Sequence, residues 1–228
     1  MNFILNSFLD FILPRFCYNC GDKLSPAEQL FCSNCTPQIS KASPERIKRE
    51  FDRKFETDGI ISGFQSLFVF EEEGAIQKII HEMKYQNGFL LGKTLGRIAA
   101  EELNAKVRLW NADLIIPVPI HSLRKAERGY NQSLFIAKGI SSVLKIPVKP
   151  NLVKRSTYTS TQTALNLTER KENVKDAFVV KHSDIFIGKR IILVDDVITT
   201  GATITECGKV LMDNGADNVF AMSAAIAE

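Results

Sequence analysis

The chain has 228 residues, of which 45% are hydrophobic and 24% are charged. These are ordinary values for globular proteins, and they exclude a disordered, collagen-like or fibrous chain. The 29 Lys and Arg residues against 26 Asp and Glu residues give a net charge of +3, which is too small to indicate nucleic-acid binding by itself. At about 150 residues per domain, the length favours one enzyme-sized core with a small appendage. No apolar run reaches the ~18 to 20 residues that cross a bilayer, so we expect no transmembrane span.

The first stretch, MNFILNSFLDFILPRF, carries apolar side chains at helical spacing as far as Pro14. This pattern predicts an amphipathic helix. A signal peptide is disfavoured because no Lys or Arg precedes Arg15 and because Asp10 interrupts the apolar face. We expect the helix to pack against the protein itself or a partner, and peripheral attachment to a membrane surface is the alternative.

Four of the five cysteines form two Cys-x-x-Cys pairs, Cys17 with Cys20 and Cys32 with Cys35. Two such pairs on tight turns can surround one Zn²⁺ as a tetrahedron with Zn–S distances of about 2.3 Å. Because all four positions would be filled by thiolates, we predict a closed structural zinc site that stabilises a small module. Two disulfides are the alternative, which is disfavoured because the chain is otherwise poor in thiols and looks cytoplasmic.

Three parts make up the predicted domain organisation. The helix and zinc module occupy residues 1–45, a linker occupies residues 46–62, and the main domain occupies residues 63–228. Residues 41–58 are highly charged, and we interpret them as an irregular connection between the module and the main domain.

The main domain begins with a predicted strand at residues 63–70 and predicted helices at residues 75–84 and 89–103. After Trp110 the pattern is strand, basic helix, strand, loop, strand, helix, strand. Strands as continuously apolar as DLIIPV and RIILV are typical of parallel sheets covered on both faces. The sequence therefore predicts an α/β fold with a mostly parallel sheet flanked by helices.

The most informative segment is residues 191–203, IILVDDVITTGAT. An apolar strand leads to two adjacent acids, Asp195 and Asp196, at its carboxyl end, where open α/β sheets bind ligands. A threonine-rich loop containing Gly201 then opens onto a helix and offers N–H and O–H donors to a phosphate. Because carboxylates would repel that phosphate unless they served another group, we predict that they meet the hydroxyls or the Mg²⁺ ion of a ribose phosphate.

A local excess of positive charge precedes this segment. In residues 121–155, Glu127 is the single acid among eight basic residues, namely Arg124, Lys125, Arg128, Lys138, Lys145, Lys149, Lys154 and Arg155. This surplus indicates an anionic ligand nearby.

Residues 191–203 resemble the phosphoribosyl pyrophosphate signature of type I phosphoribosyltransferases. The whole chain resembles the ComF family, which joins an apolar N-terminal helix, a four-cysteine zinc module and a phosphoribosyltransferase domain. Three further blocks carry the resemblance: HEMKY at residues 81–85, PVPIHSLRKAERGYNQ at residues 117–132, and residues 155–178. The resemblance implies a type I phosphoribosyltransferase fold, phosphoribosyl pyrophosphate (PRPP) as the ligand, and a role in DNA uptake and natural competence.

The resemblance also implies roles for individual residues by matching position. Asp195 and Asp196 would meet the ribose hydroxyls directly or through Mg²⁺. The 5-phosphate would lie on the loop formed by Thr199, Thr200, Gly201, Ala202 and Thr203. The pyrophosphate loop would comprise Pro119, Ile120 and His121, followed by Arg124 and Arg128 on one helical face.

A mobile lid over residues 157–173 is a further implication of the resemblance, with Arg170 reaching the anion. For Arg124 and Arg128 a solvated basic face is the alternative interpretation, and for the lid it is an ordinary surface loop. Cys207, which follows the phosphate loop among apolar neighbours, is predicted to pack in the core rather than to react.

The leading functional hypothesis is a Mg²⁺-dependent transferase in which a nucleophile attacks C1 of the phosphoribosyl group and pyrophosphate leaves. One alternative is a regulator that binds PRPP or a nucleotide without turnover. Another is a competence factor whose basic residues bind the phosphates of single-stranded DNA. Such a factor could also bind other competence proteins.

Overall fold

The computed structural model of the chain describes residues 14–85, 88–156, 177–181 and 183–227. The predicted N-terminal helix, the lid segment and Arg170 lie outside these residues. The described strands are β1 (Ile61–Val69), β2 (Leu114–Pro117), β3 (Val153–Arg155), β4 (Phe178–Val180), β5 (Arg190–Ile198) and β6 (Asn218–Ile226). The described α-helices are α1 (Pro44–Phe51), α2 (Ala75–Tyr85), α3 (Phe89–Arg108), α4 (Ser122–Arg128), α5 (Gln132–Leu144) and α6 (Ala202–Asp213).

A parallel sheet forms the centre of the molecule. Its strands run in the order β1, β6, β5, β2, and every pairing between neighbours is parallel. Strands β3 and β4 form a separate antiparallel pair. Parallel neighbours require crossover connections, and the helices that follow the strands supply them. The predicted parallel arrangement is confirmed.

Both faces of this sheet are covered, as its apolar strands predicted. One face packs against α2, α3 and α5 through residues such as Met83, Leu95 and Ile136. The other face packs against α1 and α6, where Phe55 and Leu211 are fully buried. Because strand side chains alternate between two buried layers, β2 and residues 191–194 of β5 are continuously apolar.

The helices α3 and α5 approach each other unusually closely. A Cβ atom built on Gly96 would lie 2.1 Å from the carbonyl oxygen of Ile136, and one built on Gly139 would lie 2.1 Å from that of Lys93. Only glycine fits at these two positions. The contact fixes the N-terminal end of α5, which faces the ligand-binding edge of the sheet.

The charged segment interpreted as the connection to the main domain is largely helical over residues 44–56. Helix α1 begins after Ser43, whose side chain accepts a hydrogen bond from the Arg46 N–H, and continues into a π-helical turn over Asp52–Glu56. The apolar residues Ile47, Phe51 and Phe55 follow at intervals of four and face the core. Their spacing is a helical signal that the many surrounding charges obscured.

The predicted single basic helix is divided into α4 and α5. Gly129 ends α4 in the left-handed conformation with φ of 77°, and the side chain of Asn131 then caps α5 by accepting from the Ser133 N–H. The break turns α5 inward and leaves α4 at the surface, because α4 has no buried residue whereas α5 buries much of its length.

Candidate functional site

A cavity of about 420 Å³ lies at the carboxyl ends of β2 and β5, where parallel sheets bind ligands. Most of the predicted binding residues line it. These are Pro119, Ile120, Arg124, Arg128, Asp195, Asp196, Thr199, Thr200, Gly201 and Thr203. Residues as far apart in the chain as Pro119 and Thr203 therefore meet in one cavity, because β2 and β5 are neighbours in the sheet.

Two predicted residues do not line this cavity. His121 is the N-cap of α4, and its Nδ1 accepts a hydrogen bond from the Leu123 N–H at 3.3 Å. Ala202 is the first residue of α6 and is buried behind the threonine loop. Their predicted contacts with pyrophosphate and phosphate stay predictions.

The two acids at the end of β5 have different partners. The Asp195 carboxylate accepts hydrogen bonds from the Ser133 hydroxyl and the Asp196 N–H, both at 2.9 Å. The Asp196 carboxylate lies 3.2 Å from the ammonium of Lys84. Burial and the adjacent charge of Asp196 raise the pKa of Asp195 to about 7, against the lowering effect of its hydrogen bonds and of Lys84. Asp195 can therefore gain or lose a proton near neutral pH.

The threonine loop leads directly into the N terminus of α6. Gly201 adopts φ of 82°, which L-residues rarely adopt, and the Thr200 hydroxyl accepts a hydrogen bond from the Ala202 N–H at 3.3 Å. A Cβ atom on Gly201 would also lie only 2.8 Å from the ring of Phe55. The loop thus requires glycine for both its conformation and its packing, and the open N terminus of α6 supplies a positive dipole end to an anion.

Among the described residues, four positive side chains line the same cavity as the acids. Arg124 and Arg128 both lie on α4 and line the cavity, as the resemblance implied. Arg155, at the end of β3, and Lys84, in the last turn of α2, line it as well. Burial and the charge of Arg124 lower the pKa of Arg155. Cations crowded so closely are stabilised when an anion lies between them.

The sequence did not assign roles to several of these cavity residues. Lys84 belongs to HEMKY, Ser133 follows GYNQ, and Arg155 begins the third block of the resemblance, so each lay in or beside a block without a derived chemistry. Gln132, which ends the second block of the resemblance, also lines the cavity, and its side-chain oxygen lies 3.3 Å from Arg128 Nη1. Their convergence depends on tertiary contacts, and local spacing carries no signal of it.

The four predicted zinc ligands form a compact cluster. The sulfur atoms of Cys17, Cys20, Cys32 and Cys35 all lie within 4.8 Å of one another, and those of Cys20 and Cys32 are 3.7 Å apart. None of the four forms a disulfide. Burial raises the pKa of Cys17, but the N–H groups of Cys20, Cys32 and Asn19 outweigh it and bring that pKa to about 6. A set of four converging sulfur donors, one of them readily ionised, fits a tetrahedral Zn²⁺.

The cysteine cluster is attached to the main domain by direct contacts. The Tyr18 hydroxyl donates to the Glu82 carboxylate at 2.9 Å, and the ring of Phe31 contacts that of Phe68 at 6.3 Å between centroids. Leu30 lies in the same core cluster as the residues of α2 and α3. The cluster therefore packs on the helices that border the cavity.

Cys207 is fully buried on α6, as predicted, and burial raises the pKa of its thiol. A buried thiol of this kind is inert. Among the residues that the structure describes, no helix combines the length and the apolar composition that crossing a membrane requires.

Comparisons with known proteins agree with this architecture. The family described as "Phosphoribosyl transferase domain" matches residues 131–223, which include α5, the acid pair and the threonine loop. Competence protein F of Haemophilus influenzae is 38% identical over 145 residues, which cover 62% of this chain and 63% of that protein. The DNA utilization protein YhgH of Escherichia coli K12 is 33% identical over 144 residues, covering 62% of this chain and 63% of that protein.

A longer match is with competence protein ComFC of Streptococcus pneumoniae, which is 26% identical over 86% of this chain and 87% of that protein. Among solved structures, purine phosphoribosyltransferase from Pyrococcus horikoshii is 22% identical with a TM-score of 0.38, and the match covers 58% of this chain and 73% of that one. The parallel sheet flanked by helices and the match over residues 131–223 agree with a phosphoribosyl transferase domain. The chain, with its cysteine cluster, is similar to these competence proteins, and it spans less than two thirds of the length of competence protein F.

Proposed function

We propose that the chain binds Mg²⁺–PRPP in the cavity beside β5 and transfers its phosphoribosyl group to a nucleophile. One observation carries the proposal: a single cavity brings together an acid pair, a threonine loop at a helix N terminus and three arginines. These groups match the three chemical parts of PRPP, which are a ribose with free hydroxyls, a 5-phosphate and a pyrophosphate.

In the proposed complex the 5-phosphate lies on the loop of residues 199–203 and the pyrophosphate lies among Arg124, Arg128 and Arg155. The ribose hydroxyls then face Asp195 and Asp196. The donor set at that position consists of carboxylate oxygens, which Mg²⁺ prefers, together with the oxygens of the ligand. Mg²⁺ would neutralise charge on the pyrophosphate.

The transfer forms a bond between the nucleophile and C1 as the bond between C1 and the pyrophosphate oxygen breaks. The electron pair of the broken bond goes to pyrophosphate, and the arginines stabilise that charge. Because the ligand is held at both ends, C1 has a defined position for attack. No nucleophile from the protein is required.

Calorimetric titration with Mg²⁺–PRPP tests binding, and release of pyrophosphate tests turnover against a panel of bases, nucleotides and DNA. We expect saturable binding at one site per chain and pyrophosphate release with one class of acceptor. Binding without release for every acceptor would favour the regulatory alternative. Absence of binding would contradict the proposal.

The affinity for Mg²⁺–PRPP should depend on pH because Asp195 must be ionised to accept the ribose hydroxyls. Its pKa of about 7 predicts that affinity falls about tenfold for each pH unit below 7. The stability of the free protein should change with pH in the opposite direction to the affinity. Since this pKa lies above that of the unfolded chain, protonation of Asp195 stabilises the free protein, and that contribution is lost as the pH rises from about 4 to 7.

Titrations between pH 5.5 and 8 measure this dependence. The Asp195→Asn variant is the matched control, because it retains only the titration of the ligand itself. An identical pH profile in the variant would show that Asp195 is not the titrating group.

A second candidate function is binding of single-stranded DNA, which the homologues' names and one surface favour. Beside the cavity, Tyr85 and Phe89 expose 64% and 43% of their surface. The ring of Phe89 lies 5.6 Å from that of Phe135, and the ammonium of Lys138 lies 4.8 Å from the same Phe135 ring. Such a mixture of aromatic and basic side chains stacks bases and pairs with phosphates.

Fluorescence anisotropy with a labelled oligothymidylate at several salt concentrations tests this candidate. When Arg124, Arg128 and Lys138 are neutralised, the slope of log affinity against log salt should become shallower by about 0.7 for each phosphate that these side chains neutralise in the wild-type complex. Lys48→Gln is the control, since this exposed lysine lies on α1, which packs against the opposite face of the sheet. Equal slopes for the wild-type protein and the triple variant would contradict the assignment.

A further inference from the structure

A buried lysine lies directly behind the threonine loop. Lys54 belongs to the π-helical turn Asp52–Glu56, and 3% of its side chain is exposed. Its ammonium donates to the carbonyl oxygens of Thr199 and, at 3.2 Å, of Ala227. It also forms an ion pair with Glu50 at 3.1 Å. An ammonium has three N–H donors, so these three acceptors satisfy it.

Burial of a charged lysine costs free energy, so a gain in stability does not by itself explain this arrangement. Burial lowers the pKa of Lys54, and the ion pair with Glu50 opposes that effect. Glu50, whose side chain is 4% exposed, is held as well by Arg53 at 2.5 Å. Buried ion pairs can often be replaced by apolar residues without loss of stability, so their specific geometry is the property that needs an explanation.

The contact with Lys54 concerns the first peptide group of the loop, between Thr199 and Thr200. In a trans peptide the carbonyl of one residue and the N–H of the next point in opposite directions. Lys54, which does not line the cavity, holds the Thr199 carbonyl, so the N–H of Thr200 should point toward the cavity, which Thr200 lines. The neighbouring Phe55 packs against Gly201 and supports the other end of the loop.

Reversal of this peptide would have a large electrostatic effect. It would present the Thr199 carbonyl to the 5-phosphate in place of the Thr200 N–H, replacing an attraction with a repulsion. The Lys54 ammonium, which comes from the π-helical turn after α1, opposes that reversal through its hydrogen bond to the Thr199 carbonyl.

We propose that Lys54 is a positioning residue that orients the peptide between Thr199 and Thr200 so that its N–H meets the ligand's 5-phosphate. The proposal rests on the proposed function, because it assigns that phosphate to the threonine loop. It gives a role to the charged segment before β1, which lies outside the matched phosphoribosyl transferase region.

The test compares three ligands by calorimetry: Mg²⁺–PRPP, ribose 5-phosphate and pyrophosphate. In the Glu50→Gln/Lys54→Met variant, which leaves no unpaired Glu50 charge, we expect affinity for the first two to fall about 10- to 100-fold, the value of one hydrogen bond to a charged group. Affinity for pyrophosphate should change less than about twofold, because its arginines lie on α4 and β3.

Two controls separate positioning from general stability. Glu50→Gln alone keeps the ammonium on the Thr199 carbonyl and should bind ribose 5-phosphate like the wild-type protein. Arg53→Gln removes an interaction with Glu50 that does not reach the loop, and it too should leave the affinity unchanged. Equal losses for all three ligands in the double variant would overturn the positioning role.

A measurement on the wild-type protein keeps the proposal testable if the double variant does not fold. The amide proton of Thr200 should shift downfield by NMR when ribose 5-phosphate is added, and an unchanged signal at saturation would overturn the proposal. If the wild-type protein bound none of the three ligands, the proposed function itself would be wrong and this inference with it. If it bound them and the double variant bound ribose 5-phosphate equally well, only the role of Lys54 would be wrong.

Discussion

With Asp195 and Asp196 both replaced by Asn, we expect the affinity for Mg²⁺–PRPP to fall at least about 100-fold while the fold is retained. Asparagine keeps the volume and can still accept the Ser133 hydroxyl, but it removes both negative charges that face the ribose and Mg²⁺. Each hydrogen bond to a charged group is worth about 1.5 to 3 kcal/mol, so the loss of two ionised acceptors reaches this size.

The stability of this double variant should not fall, for a reason visible in the free protein. Burial and the charge of Asp196 raise the pKa of Asp195, so ionisation of both carboxyl groups destabilises the free protein at neutral pH. The neutral amides relieve it, and the Lys84 ammonium that loses its partner is partly exposed to solvent. Thermal unfolding measures this part of the prediction.

Asp213→Asn provides the matched control, because this exposed acid lies at the opposite end of α6 from the threonine loop. It should bind Mg²⁺–PRPP like the wild-type protein. Unchanged calorimetric affinity in the Asp195/Asp196 double variant would show that the ligand binds elsewhere.

Removal of zinc should unfold the cysteine module, and untagged protein should contain one zinc per chain by elemental analysis. The module has almost no core of its own, since the local cluster contains Leu24 and the buried cysteines, with Phe31 packed against it. Structural Zn²⁺ contributes about 10 to 16 kcal/mol to folding in small zinc modules at neutral pH. A strong chelator should therefore abolish hydrogen-exchange protection of amides around the four cysteines.

Two cysteine variants sharpen this test. Cys32→Ser removes one of the four ligands and should lower the zinc content well below one per chain. Cys207→Ala removes a cysteine that is buried on α6 away from the cluster, and its zinc content should equal that of the wild-type protein. Wild-type protein without zinc would defeat the assignment.

The sequence alone identified the features whose signal is local. The cysteine pairs, the apolar strands and the segment IILVDDVITTGAT each lie within a short stretch, where spacing and residue type predict the geometry directly. The parallel sheet covered on both faces was predicted from apolar runs such as DLIIPV and RIILV. The helical segment at residues 44–56 was not predicted, because its many charged residues obscured the helical spacing of Ile47, Phe51 and Phe55.

Only the tertiary structure decided which distant side chains complete the cavity. Lys84 reaches Asp196 from α2, Ser133 reaches Asp195 from α5, and Lys54 reaches the Thr199 carbonyl from the opposite face of the sheet. These partners come together because parallel strands place the ends of separate crossover units at one edge, and the packing of helices on either face then determines which side chains arrive there. The spacing of residues along the chain does not encode that convergence, since it depends on strand order and helix packing across the whole domain.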